Sequence, residues 1–265
     1  MKNKKIFSLV ILNSLTLLLM LFINYGSNAG LFYTVSVGDV SYKYDTLFTP
    51  AGYAFAIWGV IFLMLIAFTI FQWACLKNQA HQEYIELTGP WFTISNLANA
   101  LWVYCWLNEK IGWSVIVILI LLASLCVLTY KLRLELDDKP VKVILFVWWP
   151  IVIYLGWIMV ATIACIAAWL VSTGWNGGPL SQQTWTIIMI LVATLLYLYL
   201  VKTRNLREAA GVGIWAFIAI AARQWQANFN IAIIALICSL VLLITISIHG
   251  YKNRKYSIVS KLKEG

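Results

Sequence analysis

The chain has 265 residues, of which 62% are hydrophobic, 15% aromatic and only 11% charged, with a formal net charge of +9. A soluble domain carries roughly 25% charged and 45–50% apolar residues, so there is too little charge here to coat a water-facing surface. Disordered, collagen-like, coiled-coil and disulfide-rich secreted classes are excluded on the same figures, and the composition predicts an all-α integral membrane protein that crosses by helices rather than as a β-barrel.

Apolar runs of about 20 residues mark spanning helices, and eight are predicted in chain order: 6–26, 52–76, 89–108, 112–132, 142–172, 184–202, 208–223 and 228–250. The first follows Lys2, Lys4 and Lys5 and precedes Ser27, Asn28 and Ala29, a small-residue pattern that also fits a signal-peptide cleavage site. Its apolar stretch is longer than the roughly 7–15 residues of a signal core, which favours a span. The link at 27–51 is the longest and carries Tyr33, Asp39, Tyr42, Tyr44 and Asp45. A connector of that length suggests a lid or binding element, with an untidy exposed loop as the alternative. The fifth run is long enough to tilt or to project beyond the bilayer. The link at 172–184, with Trp175, Gly177, Gly178 and Pro179, reads as an uncharged external turn. The seventh run is the shortest: Ala209–Ala222 gives about 21 Å of helix, so a re-entrant hairpin is its rival.

Lys and Arg placement sets the orientation. One side collects Lys2, Lys4, Lys5, Lys77, Lys131, Arg133, Lys139, Lys142, Lys202, Arg204, Arg207, Lys252, Arg254, Lys255, Lys261 and Lys263, and the other holds only Lys43, Lys110 and Arg223. Positive charge stays inside, which predicts both termini in the cytoplasm of a multi-pass protein of a bacterial plasma membrane. A re-entrant seventh segment would push the basic tail outside, so eight spans is the preferred count. The cations lie in short links rather than on a soluble basic face, which argues against nucleic acid as a partner.

No Asp, Glu, Lys or His falls in the middle of a predicted span, which argues against a proton-coupled pump and, without a buried lysine, against a retinal Schiff base. Arg223 is expected to snorkel at the outer end of the seventh span beside Trp225. The five cysteines lie in apolar segments without a C-x-x-C pair and read as buried small hydrophobes; with two isolated histidines they assemble no zinc site. No G-x-S-x-G, H-E-x-x-H or phosphate loop is present, so neither catalytic residues, nor a metal, nor a covalent cofactor is predicted.

Aromatic rings are what the chain has in excess. Of fourteen Trp, Trp73, Trp91, Trp106, Trp113, Trp148, Trp149, Trp169, Trp175, Trp185 and Trp225 fall near predicted span ends, where an interfacial belt accounts for them. Trp58, Trp102, Trp157 and Trp215 lie further in. Trp58 is about 12 Å below Pro50, Trp102 about 9 Å and Asn99 about 13 Å from Asn108, and Trp157 about 22 Å and Thr162 about 15 Å below Ser172. Asn96 and Asn99 share a helix face and should point into the bundle, because lipid satisfies no amide. Rings and sparse polar anchors at overlapping depths suggest a small-molecule cavity; simple helix packing is the competing explanation.

The run from Phe48 to Trp58, with Pro50, Tyr53 and Phe55, resembles the Pro-rich aromatic entry to the second helix of the TspO/translocator-protein family, the tryptophan-rich sensory proteins. Asn99 and Trp102 are similar to that family's N-x-x-W on its third helix, and Pro150, Tyr154, Leu155, Trp157, Ala161 and Thr162 to its fifth-helix signature. The resemblance covers roughly residues 1–172 and implies a five-helix bundle there, often a homodimer, that binds porphyrins and other planar hydrophobic ligands beneath the loop after the first helix. Carried over by position, Pro50, Trp58, Asn99, Trp102, Trp157 and Ala161 line that site; Tyr53, Phe55, Asn96 and Thr162 join them on this chain's own pattern. Residues 173–265 would add three spans and a basic tail. Four departures bear on ligand identity: Tyr53 and Phe55 fall one place late, Pro150 three residues early, Tyr104 replaces a proline and Cys165 replaces an asparagine. Two stretches, Leu128 to Arg133 and Leu196 to Lys202, fit a sterol-recognition pattern. The resemblance thus implies a membrane sensor of a porphyrin-like or haem-type ligand, with a facilitating transporter of a small hydrophobic solute or a tetrapyrrole-modifying enzyme as alternatives.

Overall fold

The computed structural model describes residues 2–254, and among them the secondary structure is helical throughout. The elements are α1 (Lys2–Asn28), α2 (Val37–Lys43), a 3-10 turn (Gly52–Ala56), α3 (Ile57–Asn78), α4 (Gln82–Thr88), α5 (Trp91–Leu107), α6 (Ile111–Lys131), α7 (Val141–Ser172), α8 (Gln182–Arg204), α9 (Arg207–Gln224) and α10 (Phe229–Lys252). Lys255, Lys261 and Lys263 of the basic tail lie outside the described residues.

Each of the eight predicted runs forms a helix, but six are long and apolar enough to cross a membrane: α1, α3 with its leading turn, α6, α7, α8 and α10. The other two helices of the expected eight, α5 and α9, fall short of that criterion. α5 has 17 residues, and α9 has 18 with Arg207, Glu208 and Arg223 at its ends. The physical reason is their position. Most of α5 and more than half of α9 are buried against other helices, so protein rather than lipid solvates them and their sequences are less uniformly apolar.

Polar side chains stitch the first helices together. Asn13 Nδ2 donates to Gln72 Oε1 at 2.9 Å and Thr93 Oγ1 donates to Asn13 Oδ1 at 2.9 Å. Asn24 Nδ2 donates to Asn99 Oδ1 at 2.8 Å, and Asn99 Nδ2 donates to Tyr154 Oη at 2.9 Å. The second chain links α1, α5 and α7 through fully buried groups, fixing depth and rotation where apolar contacts alone would slide.

The 32 residues of α7 give about 48 Å of helix, more than the hydrocarbon thickness of about 30 Å. Its first part widens to a π turn at Ile144–Trp148. Pro150 lies just beyond: it lacks an N–H, and its ring crowds the carbonyl four residues back, which is Phe146. A local π register relieves both.

Further along α7, Gly156 lets α9 approach closely. A Cβ there would stand 2.9 Å from the Cα and O of Ala209. Tyr197 of α8 donates its hydroxyl to Gly156 O at 2.7 Å, and its ring lies over Gly213 of α9. Small residues at such crossings allow backbones to pack where lipid provides no hydrophobic drive. One apolar core runs from Leu17 to Leu242, so helices on both sides of residue 172 share it.

Several single-residue expectations change. Trp148 and Trp106 are 1% and 3% exposed, not belt residues, because Trp148, at the end of the π turn of α7, and Trp106, in the last turn of α5, both turn inward. Cys126 is exposed on α6, whereas the other four cysteines are buried; all five are free.

Candidate ligand-binding site

A chamber lies beneath the link that follows α1. The end of that link brings Thr49 and Pro50, the 3-10 turn and α3 bring Phe55 and Trp58, α5 brings Trp102 and Trp106, and α7 brings Trp157 and a stripe of small residues, Ala161, Ala164, Cys165 and Ala168. The stripe follows from helical spacing of three and four: Trp157 lies at its deep end, and the alanines above leave space that larger side chains would fill. Trp58 meets Trp157 edge-on at 6.3 Å and Tyr154 at 6.0 Å, and Phe55 meets Trp157 at 6.1 Å. Trp102 and Trp106, four residues apart, stack at 5.4 Å with planes 20° apart. The enclosed volume is about 50 Å³, room for a few water molecules.

Two polar atoms distinguish this chamber from a packed core. Trp157 Nε1 is buried with no hydrogen-bond partner among the described residues, and Trp102 Nε1 is buried with only the weakly accepting Cys165 sulfur beside it. A buried N–H left unpaired costs free energy, and both indoles line the cavity. Each is a donor available to an acceptor on a guest.

Of the ten candidates, Pro50, Phe55, Trp58, Trp102, Trp157 and Ala161 are on the chamber wall. Tyr53 is not: it is 46% exposed and packs edge-on against Trp215 at 5.3 Å on the outer side of the 3-10 turn. Asn96 donates to Thr16 Oγ1 at 3.3 Å, and Asn99 bridges α1 and α7; both amides serve the helix seam. Thr162 donates to the Ile158 carbonyl at 2.7 Å along its own helix. Sequence reasoning missed Trp106, Thr49, Ala164, Cys165 and Ala168. The spacing of four between Trp102 and Trp106, and of three and four from Ala161 onward, was the signal that would have found all of them but Thr49, which lies in the link.

The link over the chamber is held on two sides. Ser36 caps α2, accepting from Asp39 N at 3.2 Å while Asp39 Oδ2 accepts from Ser36 N at 2.7 Å. On the α5 side, Trp106 Nε1 donates to Val37 O at 3.1 Å, Lys43 Nζ lies 2.6 Å from Glu109 Oε2, and Tyr44 donates to the same oxygen at 2.8 Å. On the α9 side, Arg223 pairs with Asp45 at 2.9 Å and lies 4.7 Å over the Tyr42 ring. Gln224 Nε2 donates to Leu47 O at 3.1 Å, Ala51 N to Ala219 O at 3.1 Å, and Trp215 Nε1 to Ala54 O at 3.1 Å. Arg223 therefore does not snorkel as expected. An acidic residue in the link gives it a nearer partner than water, and α9 acts as the lid's second post.

Hydrogen bonds from Lys43 and then Tyr44 hold the Glu109 carboxyl below its ordinary range, and Glu109 in turn raises both Lys43 and Tyr44. The Glu109 contribution is complete above the ordinary carboxylate range and is lost as pH falls through its lowered value; the Lys43 contribution is complete below the ordinary lysine range and is lost as pH rises through its raised value. The latch thus holds across neutral pH. Amide protection at residues 37–45, followed by hydrogen exchange and corrected for the intrinsic exchange rate, is expected to stay level across neutral pH and to fall only as acid protonates Glu109, below the ordinary carboxylate range. Protection at neutral pH left unchanged by Glu109→Gln would show that this pair does not hold the lid.

A family model described as TSPO-like protein matches residues 10–248. The match runs through α8 and α9 and most of α10, so the likeness is not confined to 1–172 and the extension beyond it is short. Neither a curated protein nor a solved structure matches the chain.

Proposed function

The chain belongs to the TSPO-like protein family, and on that footing we propose that it is a membrane binding and sensing protein for a flat hydrophobic ligand of the porphyrin type, held between Trp58, Trp102 and Trp157. The observation that carries this reading is the unpartnered indole N–H of Trp157, together with that of Trp102, which has only the weakly accepting Cys165 sulfur beside it, on the wall of an aromatic chamber. A tetrapyrrole offers large π faces to the rings and acceptor groups at its edge to these donors.

Volume sets the condition for entry. A ligand pocket of ordinary size encloses roughly 300–1,000 Å³, far above the present 50 Å³. Binding therefore requires the link at 37–51 to lift from its posts on α5 and α9 and the tryptophans to change rotamer. In this reading all eight long helices cross the bilayer, α5 and α9 among them as protein-surrounded spans, with both termini on the cytoplasmic side by the count of Lys and Arg. Residues 1–172 hold the ligand and α9 secures the lid.

The test is purification in mild detergent from cells that make the protein at native level, followed by an absorption spectrum and mass spectrometry of what accompanies it. The expected result is a bound conjugated ring compound at substoichiometric to equimolar amount, depleted when Trp157 is changed to Ala. A preparation that carries no conjugated compound and takes none up when tetrapyrroles are added would overturn the reading.

A further inference from the structure

A second cavity, of about 390 Å³, opens between α3, α7 and α9 and shares no wall residue with the aromatic chamber. Its volume falls within the range of small-molecule pockets. α9 contributes Glu208, Gly211, Val212 and Trp215, one helix face by their spacing of three and four. Val60 of α3 and Ile153 of α7 complete the wall around them. Gly211 leaves the α9 side open, since a Cβ there would meet nothing within 4 Å. Trp215 spends its N–H on the Ala54 carbonyl at 3.1 Å, so its ring is what it offers the cleft.

Glu208 is the one ionisable side chain on these walls. Its Oε2 is buried and has no hydrogen-bond partner among the described residues. Trp149 of α7 lies beside the carboxyl, and Arg207, its neighbour in sequence, lends it some positive charge. The Arg207 guanidinium, however, reaches the end of α10, where Nη1 would lie 3.2 Å from a Cβ on Gly250. Both α3 and α7 are long and apolar enough to cross a membrane, so the cleft opens between helices that lipid surrounds. A carboxyl in such a place is costly without a partner and marks a site where one is to be sought.

Charge and wall chemistry select that partner. A metal cation needs several oxygen ligands, and the cleft offers a single carboxyl. A hydroxyl would donate to Oε2 but leave the negative charge unmatched. A phospholipid ammonium would bring its phosphate among apolar walls, where nothing pairs with it. A hydrophobic amine meets both demands: its ammonium neutralises the carboxylate, and its apolar body fills the space toward Trp215, whose ring also attracts cations. We propose that this cleft binds a hydrophobic amine taken from the bilayer, with its ammonium on Glu208 Oε2. The site is independent of the chamber and of what the chamber holds.

The experiment is photolabelling of the full chain in phosphatidylcholine nanodiscs by a dodecylamine that carries a diazirine, with the labelled residues mapped by peptide mass spectrometry. Labelling is expected at residues 56–60 and 211–215. It should fall about tenfold in Glu208→Gln, which keeps the shape and removes the charge, and about fivefold in Gly211→Leu, which fills the open space. Glu83→Gln, which changes an exposed carboxyl on α4, should leave it unchanged. Equal labelling of these residues by the diazirine dodecanol, or full labelling in both Glu208→Gln and Gly211→Leu, would overturn the proposal. Loss of labelling when phosphatidylethanolamine replaces phosphatidylcholine would overturn the free amine as the occupant.

Discussion

Changing Gly156 to valine is expected to destabilise the protein by about 3 kcal/mol, the upper part of the usual range for overpacking. Even the first carbon of a side chain would stand 2.9 Å from the backbone of Ala209, and backbone has no rotamer by which to yield. The α7–α9 crossing must open, which also disturbs the Tyr197 hydroxyl on the Gly156 carbonyl. The damage should travel. α9 carries Ala219, Arg223 and Gln224, the groups that hold the lid at residues 45–51. Thermal unfolding in detergent is expected to show a lowered midpoint, together with faster exchange at 45–51 below that midpoint. A variant with an unchanged midpoint would mean that the two helices are not in backbone contact.

Asn99→Leu is expected to cost about 2 kcal/mol. It removes two hydrogen bonds between buried groups of three helices, leaving Tyr154 without its partner and Asn24 with only the Met20 carbonyl. Each interhelical bond in a membrane is worth about 0.6 kcal/mol on average and up to about 1.7, and desolvation of the abandoned groups adds to it. Asn96→Leu serves as the comparison. It gives up one long bond of 3.3 Å, and its Oδ1 has no partner to lose, so its effect should be less than half as large. Equal midpoints for the two variants would contradict the assignment of Asn99 as the junction of α1, α5 and α7.

The helices were legible because their signal is local: runs of about 20 apolar residues need no knowledge of neighbours. What the runs do not carry is how much of each helix meets lipid. α5 and α9 read as spans of the same kind as the rest, yet burial within the bundle lets α5 be short and α9 bear charges at its ends. Depth along a helix was also legible, at 1.5 Å per residue, which is why Trp58, Trp102 and Trp157 were grouped. Rotation about the helix was not. Asn99 and Trp102 are three residues apart, but one faces α1 and α7 and the other the chamber. The same limit hid Trp106, whose closeness to a helix end suggested an interfacial ring. Arg223 was misplaced for a different reason: its partner Asp45 lies 178 positions away, and no local pattern joins them.

The pairing of lid and chamber gives the family membership a physical content in this chain. An aromatic wall from α3, α5 and α7 faces small residues, and the cover over it is fastened on each side by an ion pair with hydrogen bonds: Lys43–Glu109, both partners exposed, on the α5 side, and Arg223–Asp45, with the arginine partly buried, on the α9 side. Exposed pairs are weak and screened by salt, so the α5 side is the one suited to open first.

The central claim is most directly tested by titrating a tetrapyrrole such as protoporphyrin into the purified protein and following tryptophan emission. Wild type is expected to be quenched with saturation at one ligand per chain, and the double variant Trp102→Phe with Trp157→Phe, which keeps aromatic walls but removes both indole N–H donors, to bind about tenfold more weakly. Trp225→Phe, exposed at the end of α9, should match wild type in affinity. Absence of saturable quenching in wild type, or the same affinity in the double variant, would contradict the account.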